Sequence, residues 1–164
     1  MRKFALYALL SLLLAGCLPD TSKPLPTALA MLDPVGGSFV RGRVTFADQD
    51  GVTRVFVDVT GLTGEHGFHV QTEGDCRNAS SRASQGHFNP EQTPHGQHAG
   101  DLPNLRADVY GTMRETLFSK FAKLSGKDSI VGHTLVVTAH YDDYRTQPDG
   151  NAGQVIACGV IQPL

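Results

Sequence analysis

Gly67-Phe68-His69-Val70-Gln71 is a short run of β-forming residues with a histidine at its centre. Successive side chains of a strand point to opposite faces, so His69 and Gln71 share one face. Histidine is a common metal ligand, and further histidines follow in the chain. Gln71 lies where this alternation would place a second imidazole beside His69. The segment therefore predicts part of a metal site, with one position that departs from a histidine pair.

The rest of the chain favours β-structure. Further strands are predicted at residues 38–46, 52–59, 107–111, 113–118, 134–138 and 155–161. The 18 glycines, many at turn signals, favour a sandwich or barrel over a helical fold. Only residues 118–124 could form a helical turn or two. Two long loops are predicted at residues 72–104 and 141–153. Loops of this length in a compact domain are usually either functional or disordered. Because the first loop contains several histidines, we expect it to be ordered.

The N-terminus has the pattern of an exported lipoprotein. Arg2 and Lys3 precede an apolar run at residues 4–14, which is too short to span a bilayer comfortably. The run leads into Leu-Ala-Gly-Cys at residues 14–17, which resembles the bacterial lipobox, where the cysteine becomes the lipid-carrying first residue. The alternative is an ordinary secretory signal with an incidental cysteine.

This pattern divides the chain into three segments. Residues 1–16 are predicted to be a lipoprotein signal peptide, residues 17–36 a lipidated, proline-containing tether, and residues 37–164 the folded domain. We expect an exported protein of the bacterial cell envelope, anchored to a membrane through Cys17.

Net charge and cysteine content indicate which partners and which redox compartment suit the protein. The net charge is −2, and no basic patch with interleaved aromatic residues is evident along the chain, which argues against nucleic acid as a partner. Three cysteines are an odd number for an exported protein. Lipid on Cys17 would leave Cys76 and Cys158, which an oxidising compartment favours as a disulfide over two free thiols.

The first long loop carries candidate metal ligands at short spacing. They are His87, His95, His98 and Asp101. Three imidazoles and one carboxylate make a complete tetrahedral set for Zn²⁺, and the glycines between them would let the backbone wrap around an ion. The alternative is a polar surface loop that happens to be rich in histidine.

Motifs spread along the chain combine into one pattern. They are Gly-Phe-His-Val at 67–70, Gly-Asp-Cys at 74–76, Gly-His-Phe-Asn-Pro at 86–90, His-Ala-Gly-Asp-Leu-Pro-Asn at 98–104, Asp-Asp at 142–143, Asn-Ala-Gly at 151–153 and Ala-Cys-Gly-Val-Ile at 157–161. In this order they resemble the bacterial copper/zinc superoxide dismutases, from about residue 37 to the C-terminus. The resemblance implies an all-β fold, an eight-stranded Greek-key β-barrel with an immunoglobulin-like sandwich architecture and two long functional loops.

The resemblance also implies roles for the loop residues. His87 resembles the imidazole that bridges copper and zinc, and the remaining zinc ligands match His95, His98 and Asp101, with an unusually short gap between the two histidines. Asp142 resembles the carboxylate that ties the copper-side and zinc-side histidines together. The family's intrasubunit disulfide matches Cys76 and Cys158, and His66 resembles a histidine that braces a loop.

The copper half of the pattern is incomplete. The family holds copper with four histidines, and two of them match His69 and His87. Gln71 and Thr138 occupy the other two positions, while Val155 occupies that of an arginine that guides superoxide to the metal. An amide or a hydroxyl is a poor ligand for reduced copper, and valine has no charge to attract an anion. Zinc is therefore the expected cofactor and copper a doubtful one.

One nearby histidine could compensate. His140 lies two residues after Thr138 and would share its face on a continuing strand, but displaced by about 6.6 Å along it. That is too far for the same coordination point unless the chain bends. We expect His140 and His133 to be surface histidines.

Three functions follow from these residues. The first is a zinc-binding, dismutase-like envelope lipoprotein in which dismutation is lost or weak. The alternative is a working enzyme that converts superoxide to oxygen and hydrogen peroxide at an altered copper site. The third is an envelope metal-binding protein that handles copper through His69, His87 and an open position.

Overall fold

The computed structural model describes residues 27–77, 79 and 86–164 of the chain. Its strands are β1 (Thr27–Pro34), β2 (Arg41–Gln49), β3 (Val52–Thr60), β4 (Glu65–His66), β5 (Phe68–Gln71), β6 (Leu105–Arg106), β7 (Thr112–Ser119), β8 (Thr134–Thr138), β9 (Val155–Val160) and β10 (Gln162–Pro163). In this part of the chain no helix is long and apolar enough to cross a membrane. The predicted signal peptide and Cys17 lie outside the described residues.

The main sheet is antiparallel and curled into a half-barrel. Its strands follow the order β5-β8-β9-β1-β2-β3-β7, with β10 beside β1, and β4 pairs separately with β6. β1, β2 and β3 are consecutive neighbours, and β9 returns to lie beside β1, which is the Greek-key order. The all-β prediction is confirmed, and the architecture is that of the expected barrel.

Alternating side chains build the core from this sheet. Val55, Val57 and Val59 of β3 are buried together with Val44 and Phe46 of β2. Burial of each such side chain contributes roughly 1.5–3 kcal/mol. β5 is buried on both faces, because Phe68 and Val70 enter the core while the long loop covers the opposite face. The second, covered face is the one that carries His69.

The predicted tether is too long. The sequence assigns residues 17–36 to it, but Thr27–Pro34 forms β1 and pairs with β2 along most of its length. Ala28, Ala30 and Leu32 alternate into the core at 0–2% exposure. Alanine is depleted in strands, so the alternation carried a weak signal beside the neighbouring prolines. The folded domain includes these residues, ten positions before the predicted start.

Two smaller predictions are wrong. Residues 107–111 form a turn instead of a strand, because the Asp108 carboxylate accepts hydrogen bonds from the N–H groups of Tyr110 and Thr112, and Gly111 adopts φ +75°. Residues 118–124 form no helical turn. β7 runs to Ser119, whose hydroxyl then accepts the N–H groups of Phe121 and Ala122.

Candidate metal centre

Backbone hydrogen bonds join the first long loop, residues 72–104, to β5. The N–H of Val70 donates to Gly100 (2.8 Å), that of Phe88 to Val70 (2.7 Å) and that of Gly100 to Phe88 (2.8 Å). A methyl group on Gly100 would clash with the Val70 carbonyl oxygen, so only glycine allows this approach. The ladder places His87, which precedes Phe88, and Asp101, which follows Gly100, directly against β5.

Four predicted ligands meet in one buried cluster. His87, His95, His98 and Asp101 offer ligand atoms that all lie within 4.8 Å of one another, and all four are buried. Asp101 Oδ1 is at the centre, 2.6 Å from His87 Nδ1, 3.2 Å from His98 Nδ1 and 4.0 Å from His95 Nδ1. The shorter spacing between His95 and His98 therefore still lets both rings face the same carboxylate.

Several nitrogens in this cluster lack a partner. His95 Nδ1 and both ring nitrogens of His98 are buried without a hydrogen bond among the described residues. Unpartnered buried polar groups are rare, because each one costs free energy. A Zn²⁺ ion would satisfy the Nδ1 atoms, and three imidazoles with one carboxylate are its preferred tetrahedral donors. The residues present fit zinc.

Asp142 joins the two halves of the histidine cluster. Its Oδ2 accepts a hydrogen bond from His69 Nε2 and its Oδ1 one from His95 Nε2, both at 2.8 Å. These bonds fix the protons of both rings on Nε2 and leave each Nδ1 free to bind a metal. The bridging position that the resemblance implies for Asp142 is the observed one.

A link that the sequence did not indicate holds Asp142 in place. The Asn104 amide donates to the Asp142 carbonyl and accepts from the Asp142 N–H, both at 2.9 Å, which joins the two long loops. A side chain on Gly150 would clash with the Asp142 carboxylate. Asn104 and Gly150 were overlooked because neither is a metal ligand or a titratable group. Only the contact between loops distant in sequence reveals their role.

Burial and hydrogen bonding shift the protonation of the cluster. Burial lowers the pKa of His69 to about 4 and lowers that of His98 below its ordinary value. Burial alone would raise the pKa of Asp101 and of Asp142. The hydrogen bonds from His87 to Asp101, and from His69 and His95 to Asp142, outweigh it and lower both values. Neutral imidazoles around ionised carboxylates are the protonation state that a metal ion requires.

The positions on the copper side are also brought together and buried. His69, Gln71, His87 and Thr138 are 1–5% exposed. The His69 and His87 rings stack with centroids 3.7 Å apart. Gln71 bridges to His87 through the backbone, and the Thr138 hydroxyl donates to the His140 carbonyl at 3.1 Å. The structure thus gathers two imidazoles, one amide and one hydroxyl at this end of the cluster.

Val155 lies in an apolar environment. It is 2% exposed and packs with Ala79, Val136 and Cys158. Cys158 forms the predicted disulfide with Cys76, with Cα atoms 5.8 Å apart. The disulfide-bonded Cys158 and the buried Ala79 thus both pack against Val155, at the position where the resemblance implies an arginine.

The other histidines do not join the cluster. His66 is buried and braces a loop, donating from Nδ1 to the Thr138 carbonyl (2.8 Å) and accepting from the Thr63 N–H at Nε2 (3.2 Å). His140 is exposed with its ring beside Gly153, and His133 bonds to Thr72 and stacks on Phe88. Within the described chain, His140 belongs to none of the possible metal-ligand groups. The compensation that it could have offered on the copper side is not observed.

Comparison with known proteins identifies the family. Residues 40–161 match the family model described as copper/zinc superoxide dismutase (SODC). A superoxide dismutase [Cu-Zn] of Schizosaccharomyces pombe is 39% identical over 142 residues, covering 77% of this chain and 92% of that protein. One of Paramecium bursaria Chlorella virus 1 is 35% identical over 156 residues, covering 87% and 80%. The crystal structure of the clock protein EA4 matches with a TM-score of 0.75 at 36% identity, covering 87% of this chain and 97% of that one. The chain therefore belongs to the copper/zinc superoxide dismutase family.

Proposed function

We propose that this protein is a zinc-binding, superoxide dismutase-like lipoprotein of the bacterial cell envelope, and that its copper site supports little or no dismutation. The observation that carries the proposal is the contrast within one buried cluster. On the zinc side, His95 and His98 present unpartnered ring nitrogens near Asp101, while the copper side offers only His69 and His87 as imidazoles among the described residues.

Zinc would be held by His87, His95, His98 and Asp101. When bound, it would cross-link the loop and contribute to folding, as structural zinc does. The chain prepares this site in two ways. Asp142 holds the His95 proton on Nε2. The Asp101 carboxylate accepts a hydrogen bond from the backbone N–H of His98 at 2.9 Å, which fixes the orientation of the carboxylate.

The residues on the other side do not fit copper. Both oxygens of Asp142 are engaged by histidine N–H groups, so this carboxylate is not a free ligand. Among the described residues, the remaining candidates are the amide of Gln71 and the hydroxyl of Thr138, which are poor ligands for reduced copper. Dismutation requires both oxidation states, so weak binding of the reduced ion would stop the cycle.

Access for an anionic substrate is also reduced. Val155 offers no positive charge, and its apolar neighbours exclude water from the place where the family's arginine is expected. The copper-side residues are at most 5% exposed. Among the described residues around Val155, superoxide would therefore meet no attracting charge, and the copper-side residues themselves are closed to solvent.

The lipobox motif and the disulfide support a location in the cell envelope. The lipobox at residues 14–17 supports lipid on Cys17, and a disulfide between the other two cysteines suits an oxidising compartment. The tether is then the ten residues that precede β1 at Thr27.

A second candidate function is a working dismutase. The intact His69–Asp142–His95 bridge favours it, because this bridge orients a copper-side imidazole that a zinc-only protein would not need. Two imidazoles and solvent could hold copper in an altered geometry. The two functions differ in the metal that the chain retains.

The test is the metal content of the full chain, purified from cells supplied with both metals. Elemental analysis after dialysis against a weak chelator is expected to give about one zinc per chain, as a single tetrahedral site requires, with copper far below stoichiometry. Tightly held, stoichiometric copper would contradict the proposal. Mass spectrometry of the mature N-terminus tests the anchor, and an unmodified cysteine would contradict it.

A further inference from the structure

Arginines that are scattered along the sequence converge on one face of the fold. The outward residues of β1, β2, β3 and β7 stand side by side in the register. Neighbouring rows are Met31, Arg43, Asp58 and Arg114, then Leu29, Thr45, Phe56 and Thr116, then Thr27, Ala47, Arg54 and Phe118. We call these twelve residues, with Arg41 at their border, the outer face. It lies on the side of the sheet opposite the core.

The outer face is positively charged in a chain whose net charge is −2. Four arginines belong to the outer face and its border: Arg41, Arg43, Arg54 and Arg114. They stand against three acidic residues, which are Asp58 within the face, Glu115 at its rim and the exposed Asp33, two residues after Met31 on β1. Arg114 donates to both oxygens of Asp58, at 2.9 and 3.2 Å, which removes one charge of each sign. A surplus of positive charge remains.

Exposed apolar side chains lie among these arginines. Met31 is 56% exposed, Phe56 38% and Phe118 60%. The Arg54 guanidinium lies 4.8 Å above the centre of the Phe56 ring, and its Nε has no hydrogen-bond partner among the described residues. A shallow cavity of about 350 Å³ opens beside Phe56, between Arg43 and Arg114. Exposed apolar and aromatic side chains interspersed with arginines are typical of interaction surfaces.

We propose that the outer face binds the surface of an anionic phospholipid membrane. Guanidinium groups bind phosphate oxygens through paired N–H donors, and aromatic and apolar side chains enter the boundary between headgroups and acyl chains. A mixture of arginine, phenylalanine and methionine on one broad face suits both layers of such a surface.

A lipid surface is favoured over an acidic protein by the position of the N-terminus. This step rests on the lipid anchor of the proposed function. Thr27, where β1 begins, lies in the row of Arg54 and Phe118, so the point at which the predicted tether joins the domain is at the edge of the outer face. Ten residues span at most about 35 Å, which keeps this face near the membrane and raises its effective concentration there.

The chain contains no tryptophan, so a single introduced tryptophan reports the environment of one position. Phe56→Trp is the probe, and Tyr141→Trp, on an exposed loop residue, is the matched control. Each full chain is reconstituted through its anchor into vesicles of phosphatidylglycerol or phosphatidylcholine. We expect a blue shift and quenching by brominated lipid for Phe56→Trp in phosphatidylglycerol only, reversed by high salt. Equal spectra in both lipids would overturn the proposal.

Charge removal tests the role of the arginines. The unacylated mature chain is titrated with phosphatidylglycerol vesicles, which also separates this proposal from a failure of the anchor. Arg41→Gln with Arg43→Gln is expected to weaken partitioning about fivefold per arginine. Arg77→Gln with Arg145→Gln removes the same charge from other exposed positions and should have a much smaller effect. An equal loss of vesicle partitioning in the two double variants would overturn the proposal. A blue shift of Phe56→Trp that appears with envelope proteins and not with lipid vesicles would also overturn it.

Discussion

The zinc side and the copper side of the cluster share His87 and the Asp142 bridge, yet they are built on different backbone. The predicted zinc ligands His95, His98 and Asp101 lie in a loop that is held partly by backbone hydrogen bonds to β5 and partly by side-chain contacts among these residues. Gln71 and Thr138 lie at the ends of β5 and β8, whose ladder is made by backbone groups. A ligand on a strand can be replaced without loss of the strand's backbone pairing, whereas replacing a ligand in the loop removes part of the contacts that hold that stretch of the loop.

The largest expected change is in copper retention, after the two missing histidines of the copper side are restored. Gln71→His with Thr138→His returns two imidazoles to positions on the existing ladder, so copper retention should rise from substoichiometric to about one ion per chain. Elemental analysis after chelator dialysis measures the change.

The control for this pair is Gln71→Asn with Thr138→Ser, which alters the same positions without adding imidazoles. If the histidine pair retained no more copper than this control, the copper side would be closed for reasons other than ligand identity.

Loss of one predicted zinc ligand should cause the next largest change, a fall in zinc affinity. His98→Ala removes one of four donors, and an even share of the free energy of structural zinc corresponds to a loss of affinity of about several hundredfold. Competition against a chromogenic chelator measures it. His140→Ala removes an exposed histidine outside the cluster and should leave the affinity unchanged. Equal effects of the two variants would argue against the zinc assignment.

The metal-free protein should be acid-labile through the copper-side histidine. Burial lowers the pKa of His69 from 6.5 to about 4. Between these pH values the His69 imidazole is protonated in the unfolded chain but neutral in the folded chain. Stability is therefore complete above pH 6.5 and falls towards pH 4, by about 3 kcal/mol. Urea unfolding of the chelated protein at pH 7 and pH 4.5 measures the loss. His69→Gln should flatten this dependence, and an unchanged slope in that variant would assign it to other groups.

Weakening the Asp142 bridge between the two sides should lower zinc affinity by a smaller factor. Asp142→Asn keeps the shape of the side chain but removes the charge that favours both Nε2 protons, and zinc affinity should fall about 10- to 100-fold. Asp143→Asn is the matched control, since its carboxylate bonds locally to Thr146 and Arg145. Zinc affinity that is the same in both variants would mean that Asp142 does not orient His95.

The sequence predicted most of the sheet, because alternation in β3 and the buried run of β8 are direct consequences of packing. β8 spans Thr134–Thr138 as predicted. β1 was missed because two of its core-facing residues are alanines, and residues 107–111 were misassigned because Val109 and Tyr110 favour strands although Asp108 closes a turn around them.

At the site, residue types alone indicated the zinc set, and the cluster is observed. Spacing could not reveal that Asn104 joins the two loops or that Val155 packs against Ala79 and Cys158. Both depend on contacts between segments far apart in the chain. The same limit applies to the outer face, whose arginines become neighbours only through strand register.

The rate of superoxide decay tests the central claim most directly. The full chain, loaded with zinc and then with copper, is compared with the variant Gln71→His, Thr138→His, Val155→Arg in a pulse-radiolysis assay at neutral pH. We predict that the unaltered chain barely exceeds its metal-free form, while the variant gains copper-dependent turnover. Rapid, copper-dependent decay catalysed by the unaltered chain would contradict this account.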